Sequence, residues 1–132
     1  MRTLNKDYET RNEIIFGDKD TDSKTWLGGT RRFESLNLEQ LQDLIQNNFI
    51  DLEECQNYSP SVSDFLDFMK KYPAVKAHGY AVSHTRDDYR VSLEGLAFAG
   101  EVNNQMLLDF IHLCRQADEF HASEDELYAW WD

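Results

Sequence analysis

Two short runs in the middle of the chain alternate large residues with small or polar ones, and this alternation constrains the fold more than any other feature. Tyr80 and Val82 alternate with small residues, and an apolar side chain occupies every second position from 89 to 93. Because the side chains of a strand alternate between the two faces of a sheet, both runs predict half-buried strands. We therefore expect an antiparallel hairpin over 77–98.

The alternation also predicts the register of this hairpin. With residues 85–88 as the loop, the predicted pairs are His84 with Tyr89, Val82 with Val91 and Tyr80 with Leu93. This register puts the large apolar side chains on one face, toward the helices, and a slip of one residue would reverse the faces. The other face is expected to meet solvent or a partner, and it carries Gly79, Ala81, Ser83, Arg90, Ser92 and Glu94.

Weaker β signals lie near the start of the chain. The apolar run at 14–16 predicts a short strand at about 13–16, and residues 24–34 are compatible with another. Gly28 and Gly29 can adopt the positive φ angles of a two-residue turn within this second segment. Residues 1–12 are polar, so we expect a loose N-terminal arm on a single domain that spans 1–132.

Helix starts are marked by capping boxes, in which an N-cap side chain and the side chain three residues later satisfy each other's backbone N–H groups. The pairs are Asn37 with Gln40, Asp51 with Glu54, and Ser123 with Glu126. They predict helices near 37–47 and 123–131 and a short helical turn at 51–55. Apolar residues at helical spacing predict two more, from about 61 to 72 and from about 103 to 114. The expected fold is α+β, a small antiparallel sheet packed against about four helices.

Charge limits the classes of partner. The 132 residues include 25 acids and 13 bases, a formal net charge of −12, and residues 33–69 and 118–132 contain no Lys or Arg. Such a field repels nucleic-acid backbones and anionic membranes and attracts basic partners. We expect the partner to be another protein, a basic one in particular, and neither a nucleic acid nor a membrane.

The expected compartment is the cytoplasm. The first thirteen residues lack the apolar run of a signal peptide, and no stretch approaches the roughly 20 apolar residues of a membrane span. Cys55 and Cys114 are therefore expected to be reduced thiols, each among apolar residues of a predicted helix.

One segment imitates a calcium loop, with Asp18, Asp20 and Asp22 at its first three acidic positions. Calcium loops of this kind need Gly at position 6 and a bidentate Glu at position 12, where this chain has Ser23 and Gly29. The histidines give no better site, because His78 and His84 would lie about 20 Å apart on one strand, and His112 and His121 belong to different predicted elements. No metal or cofactor is expected.

Catalytic candidates concentrate at the tip of the predicted hairpin, in His84, Arg86 and Asp87. An Asp can orient a His and an Arg can hold an anion. Hairpin tips also use such residues to form turns, and a tip lacks walls that exclude water. The Gly28-Gly29 turn lacks the spacing and the Lys of a P-loop, and no standard catalytic motif occurs. A small enzyme with its site at this tip is the less favoured alternative.

The favoured function is a non-enzymatic protein-interaction domain. A sharper alternative is an acidic mimic of nucleic acid that inhibits a basic DNA- or RNA-binding protein, as anti-restriction and other anti-defence proteins do. The pairs Glu39/Asp43 and Asp64/Asp67 have like charges at helical spacing, which mildly destabilises their own helices. A cationic partner would offset that repulsion. The candidate partner-binding residues are Glu39, Asp43, Asp64, Asp67, Trp130 and Trp131. Of the two Trp, one is expected in the core and the other partly exposed; the oligomeric state is left open.

Overall fold

The computed structural model describes residues 3–19 and 26–132. Along these residues lie α1 (Tyr8–Phe16), β1 (Thr30–Leu36), α2 (Leu38–Gln46), α3 (Val62–Lys71), β2 (Lys76–Val82), β3 (Val91–Ala99), α4 (Asn104–Cys114), β4 (Glu119–Ala122) and β5 (Glu126–Trp130). The strands form one open antiparallel sheet in the order β1-β2-β3-β5-β4. The predicted α+β class, a small sheet with about four helices, is confirmed.

All four helices pack on one face of the sheet. Their buried apolar side chains form one cluster with sheet residues that share a face by register, among them Phe33, Ala81, Val91, Leu96 and Ala129. None of the helices in the described residues covers the opposite face, which we call the open face. One-sided covering of this kind is common in antiparallel sheets. It leaves the open face for the polar groups described below.

Helices α2 and α3 begin where the sequence predicted. The Asn37 side chain accepts a hydrogen bond from the Gln40 N–H, and the Gln40 side chain accepts one from the Asn37 N–H, each at 2.8 Å. Ser61 and Asp64 make the same exchange at the start of α3. The end of α2 has Asn48 at φ 62°, as expected for an Asn at a left-handed helix stop.

The first segment of the chain differs from the expected loose arm, and the strand predicted at 13–16 is wrong. Both regions contribute to α1, which Asp7 caps through the Thr10 N–H and hydroxyl and which ends at Gly17 with φ 73°. Arg11 is only 1% exposed, and its Nη1 donates to the Val82 carbonyl at 2.7 Å. Its guanidinium also lies 4.6 Å from the centre of the Tyr89 ring. Each contact joins residues that are far apart in the sequence, so local sequence patterns could not predict it.

The turn at Gly28 and Gly29 is confirmed. Their φ angles are 64° and 80°, and the flanking residues Leu27 and Thr30 exchange backbone hydrogen bonds of 2.9 and 3.1 Å. The strand predicted at 24–34 is present from Thr30 onward, while residues 24 and 25 lie outside the described residues.

The central hairpin is confirmed, but half of its register is wrong. Near the tip the pairs are Ala81 with Val91 and Gly79 with Leu93, one residue away from the predicted ones. Glu94 is an extra residue on β3, a bulge, and beyond it His78 pairs with Gly95 as the predicted register requires. A bulge shifts every pair on one side of it, which the alternation of residues near the tip cannot reveal.

Because of the bulge, the β2 residues near the tip face the opposite way from the prediction. Val91 and Leu93 face the helices as expected, but their neighbours there are Ala81 and Gly79 instead of Val82 and Tyr80. Small residues on β2 bring the strands and helices close together, and a Cβ on Gly79 would overlap the Ser92 carbonyl. Tyr80 and Val82 consequently belong to the open face.

The helix predicted at 123–131 is wrong, because this region contains the β4–β5 hairpin. The Ser123 N–H donates to the Glu126 carbonyl at 2.9 Å and closes the turn. From Leu127 onward, burial alternates with a period of two: Leu127, Ala129 and Trp131 are buried, and Tyr128 and Trp130 are half-buried. The short helical turn predicted at 51–55 is a single hydrogen-bonded turn, in which the Glu54 N–H donates to the Asp51 carbonyl at 3.1 Å.

Candidate functional site

A hydrogen-bonded network of polar side chains crosses the open face. Arg32 Nη1 donates to Glu94 at 2.6 Å, and the Glu94 side chain is only 7% exposed. Gln56 Nε2 donates to the other Glu94 oxygen at 3.3 Å, and the Tyr80 hydroxyl donates to Gln56 Oε1 at 3.0 Å. Arg90 Nη2 completes the chain by donating to the Tyr80 hydroxyl at 2.9 Å. The network ties the loop that carries Gln56 to the sheet.

His78 lies buried on the same face beneath Tyr128, with the two rings stacked 5.2 Å apart. Its Nε2 is 2.9 Å from the Ala129 carbonyl, which can only accept, so Nε2 donates. No described residue partners Nδ1. Burial lowers the pKa of His78, so the ring is held neutral and serves to connect β2 with β5.

The hairpin tip does not assemble a catalytic group. His84 is exposed and stacks on Tyr8 at 3.7 Å, whereas Arg86 forms a two-pronged ion pair with Asp88. Asp87 is exposed and makes no hydrogen bond to another described residue. The three candidates His84, Arg86 and Asp87 therefore have separate environments.

The calcium-like segment is described only at its start. Asp18 pairs with Arg31 through contacts of 2.9 and 3.2 Å, while Asp20 and Asp22 lie outside the described residues. In the described part of the chain, no three His, Cys, Asp or Glu side chains come close enough to hold an ion together.

The acids of the base-free stretch are distributed over several surfaces. Glu39 and Asp43 belong to α2, and Asp64 and Asp67 to α3, in the helical layer. Glu34 instead lies beside Arg32 at 3.4 Å, at the edge of the open face. The Asp64 carboxylate also accepts a hydrogen bond from the Ser61 N–H at the start of its own helix, so it stabilises α3 without any partner. This distribution does not favour a single phosphate-like surface.

The two C-terminal Trp residues lie on opposite sides of the strand. Trp131 is buried, and its ring meets the ring of Phe65 edge-on at 5.9 Å. Trp130 is half-buried and pairs with Gly95 and Glu119 on the open-face side. One Trp is thus in the core and one is partly exposed, as expected, although strand alternation causes this and not a helix.

The residue that sequence analysis missed is Tyr58. Its side chain is 98% exposed, and its backbone is left-handed with φ 70°. It follows Asn57, which has φ 45°. Left-handed backbone is uncommon for Asn and a marked outlier for a bulky residue such as Tyr. An Asn-Tyr-Ser-Pro sequence signals a turn, but nothing in it indicates that the Tyr would take a strained position.

The loop around Tyr58 is held firmly by its neighbours. The Ser59 hydroxyl accepts the Gln56 N–H at 2.9 Å, and the Ser59 N–H donates to the Gln56 carbonyl at 2.8 Å. The Asn57 side chain donates to the backbone carbonyl of Asp132. Tyr58 itself makes no hydrogen bond or ring contact with another described residue. It borders a depression of about 480 Å³ that is also lined by Asp64, His112, Arg115, Gln116 and Trp131.

Comparison of this chain with protein-family models, curated proteins and solved structures found no match. None of the helices among residues 3–19 and 26–132 combines the length and apolar content needed to cross a bilayer.

Proposed function

We propose that this chain is a protein-interaction domain in which the loop 56–60 presents Tyr58 to a partner protein. The observation that carries the proposal is a fully exposed Tyr ring on a left-handed backbone. Such backbone costs about 1–2 kcal/mol for a residue other than Gly. Strained residues persist where the surrounding structure holds them, and they cluster at binding sites.

The Tyr58 side chain makes no contact with another described residue that would offset this cost. Gln56, Asn57 and Ser59 fix the loop, whereas the Tyr58 ring projects into solvent. Tyr is enriched among the residues that contribute most to protein interfaces, because it supplies a large apolar surface with few rotatable bonds. The depression beside it offers polar groups for the rest of a partner segment.

A basic partner fits the charge of the molecule. Besides the net charge of −12, the loop residues Asp51, Glu53 and Glu54 line a second depression, of about 510 Å³, next to Leu4 and Tyr89. Burial raises the pKa of Glu54, while Arg90, which lines the same depression, counteracts the rise. A further cationic group from a partner would stabilise the ionised Glu54 carboxylate.

The proposed setting is the cytoplasm, and the state of the cysteines supports it. Cys55 is exposed and Cys114 is buried in α4, and both are free. Burial raises the pKa of the Cys114 thiol to about 12, so this thiol is protonated and unreactive at neutral pH.

The test is a Tyr58→Gly substitution, with Leu27→Ser as the matched control on a different exposed turn. Gly removes the ring and relieves the strained φ, so we expect the free energy of unfolding to rise by about 1 kcal/mol. Partners should be captured from the source-cell lysate with the unaltered chain and both variants. Each identified partner is then titrated by calorimetry.

We expect Tyr58→Gly to weaken a captured partner at least tenfold, while Leu27→Ser leaves its affinity unchanged. Equal affinity for all three proteins would show that Tyr58 is no anchor. A large loss of stability in Tyr58→Gly would instead assign the residue to folding, and it would remove the basis of the proposal.

A further inference from the structure

The sheet has two edges, and only one of them is regular. β1, at one edge, changes register between Phe33 and Leu36, and its Arg31 is engaged by Asp18. β4, at the other edge, pairs with β5 without interruption from Glu119 to Ala122. Its first three residues are exposed and Ala122 is half-buried. A regular, uncovered edge strand is a template on which a further strand can pair.

The backbone groups that β4 offers follow from its pairing with β5. The Ser123 N–H donates to the Glu126 carbonyl, so this pair is a hydrogen-bonded one. Because such pairs alternate along an antiparallel ladder, Phe120 and Ala122 direct their N–H and C=O groups away from β5. No described residue hydrogen-bonds to these outward groups.

We propose that the outer edge of β4 binds an extended basic segment of another protein as a sixth strand of the sheet. Charge selects the occupant, since residues 118–126 contain five acids and no Lys or Arg: Asp118, Glu119, Glu124, Asp125 and Glu126. Two copies of this chain would bring these acids together, which disfavours self-pairing through β4. A segment carrying Lys or Arg would be attracted to them.

The side chains next to the β4 edge determine which order of basic and apolar residues the bound segment should have. Phe120, 39% exposed, faces the helical side and stacks on Phe110 of α4 at 5.7 Å, and the same helix exposes Leu108 to 62%. Glu119 and His121 alternate with it on the open-face side. An incoming strand would cover Phe120 with an apolar residue and place a basic residue near Glu119. The preferred segment therefore alternates basic and apolar residues.

The test uses synthetic probes and does not depend on Tyr58. Three end-capped peptides are compared: alternating Lys and Val, the same residues in separate Lys and Val blocks, and alternating Glu and Val. Binding is measured by NMR titration together with exchange of backbone amide hydrogens. We expect the alternating Lys-Val peptide to bind at least tenfold more tightly than the other two. It should also slow exchange of the Phe120 and Ala122 amides at least tenfold.

Two variants make the test specific. Ala122→Pro removes an outward N–H without removing a bond to β5, and proline is tolerated at such edge positions. It should weaken the Lys-Val peptide at least tenfold. If it unfolds the protein, the double variant Glu119→Lys/Glu124→Lys serves instead, and it should transfer the preference to the Glu-Val peptide. The Tyr58→Gly protein should bind as the unaltered chain does.

Some results would overturn the proposal. Equal binding of the alternating and blocked Lys peptides would mean that only charge is recognised. Unchanged exchange of the Phe120 and Ala122 amides would mean that no strand is added, and that the acids simply keep this edge from pairing. Neither result would bear on Tyr58, so failure here is distinguishable from failure of the proposed function.

Discussion

The start of α3 and the turn between β4 and β5 have the same local motif, a Ser followed three residues later by an acid. At α3, Ser61 and Asp64 exchange hydrogen bonds between side chain and backbone, each at 3.2 Å, and a helix follows. At the turn, the Ser123 hydroxyl donates to Asp125 at 2.8 Å and the Ser123 N–H donates to the Glu126 carbonyl. The motif is therefore compatible with both structures and decides neither.

What differs is the spacing of the apolar residues that follow. After Ser61, the buried positions are Val62, Phe65, Leu66, Phe68 and Met69, which lie on one broad side of a helix. After Ser123, they are Leu127, Ala129 and Trp131, which lie on one side of a strand. The period over several residues thus outweighs a cap of four residues, because burial stabilises more than one pair of hydrogen bonds.

The strand is also stabilised by contacts that are distant in sequence. The Asp125 and Glu124 carbonyls accept hydrogen bonds from the N–H groups of Gly100 and Val102, at 3.0 and 2.9 Å. A helix over 123–131 would lose these bonds and the ladder with β3. No local pattern announces a partner some twenty-five residues away, and for this reason the C-terminal segment was predicted wrongly.

The largest expected effect comes from a substitution at Ala129, which tests the strand β5 against the helix predicted over 123–131. On β5 this residue is fully buried among core side chains, so Ala129→Asp would bury an unpaired charge and should destabilise the protein by more than about 3 kcal/mol. Loss of the folded circular-dichroism signal at 25 °C, or a greatly reduced urea midpoint, would show it. The control is Tyr128→Ser on the open face, which should cost about 1 kcal/mol. Equal effects at the two positions would contradict the alternation of burial along β5.

How far the sequence predicts this molecule depends on whether the deciding contacts are local. The capping box of Asn37 and the Gly28-Gly29 turn are each complete within a few residues, and both are present in the structure as predicted. The bulge at Glu94 and the burial of Arg11 against Val82 depend on distant strands, and neither was predicted. The candidate site followed the same rule: Tyr58 is notable for its backbone angle and exposure, and neither is visible in its identity.

A smaller effect compares the two Ser residues directly. Ser61→Ala removes a helix N-cap and should lower the free energy of unfolding by about 1 kcal/mol. Ser123→Ala removes side-chain bonds from an exposed turn whose backbone bond to Glu126 remains, so we expect about 0.5 kcal/mol or less. Urea denaturation of the two variants under identical conditions measures the difference. If Ser123→Ala cost as much as Ser61→Ala, the Ser123 side chain would matter to its turn as a cap matters to a helix.

The smallest expected effect concerns the other end of α3, where charge joins this helix to α4. Lys71 and the Tyr72 hydroxyl donate to Asp109 at 2.8 and 2.6 Å, and Gln105 donates to its other oxygen. These bonds lower the pKa of Asp109 from 3.8 to about 2. Because the folded pKa lies below the unfolded one, the stabilisation is complete above pH 3.8 and disappears as the pH falls through 2.

Asp109→Asn should therefore be less stable than the unaltered chain at pH 6 and equally stable near pH 2, as measured by thermal unfolding. The matched control is Asp67→Asn, at an exposed aspartate of α3 without a hydrogen-bond partner among the described residues, so this change removes no such bond. A deficit of Asp109→Asn that persisted unchanged at pH 2 would mean that the amide disturbs packing, and that the ion pair does not stabilise the end of α3.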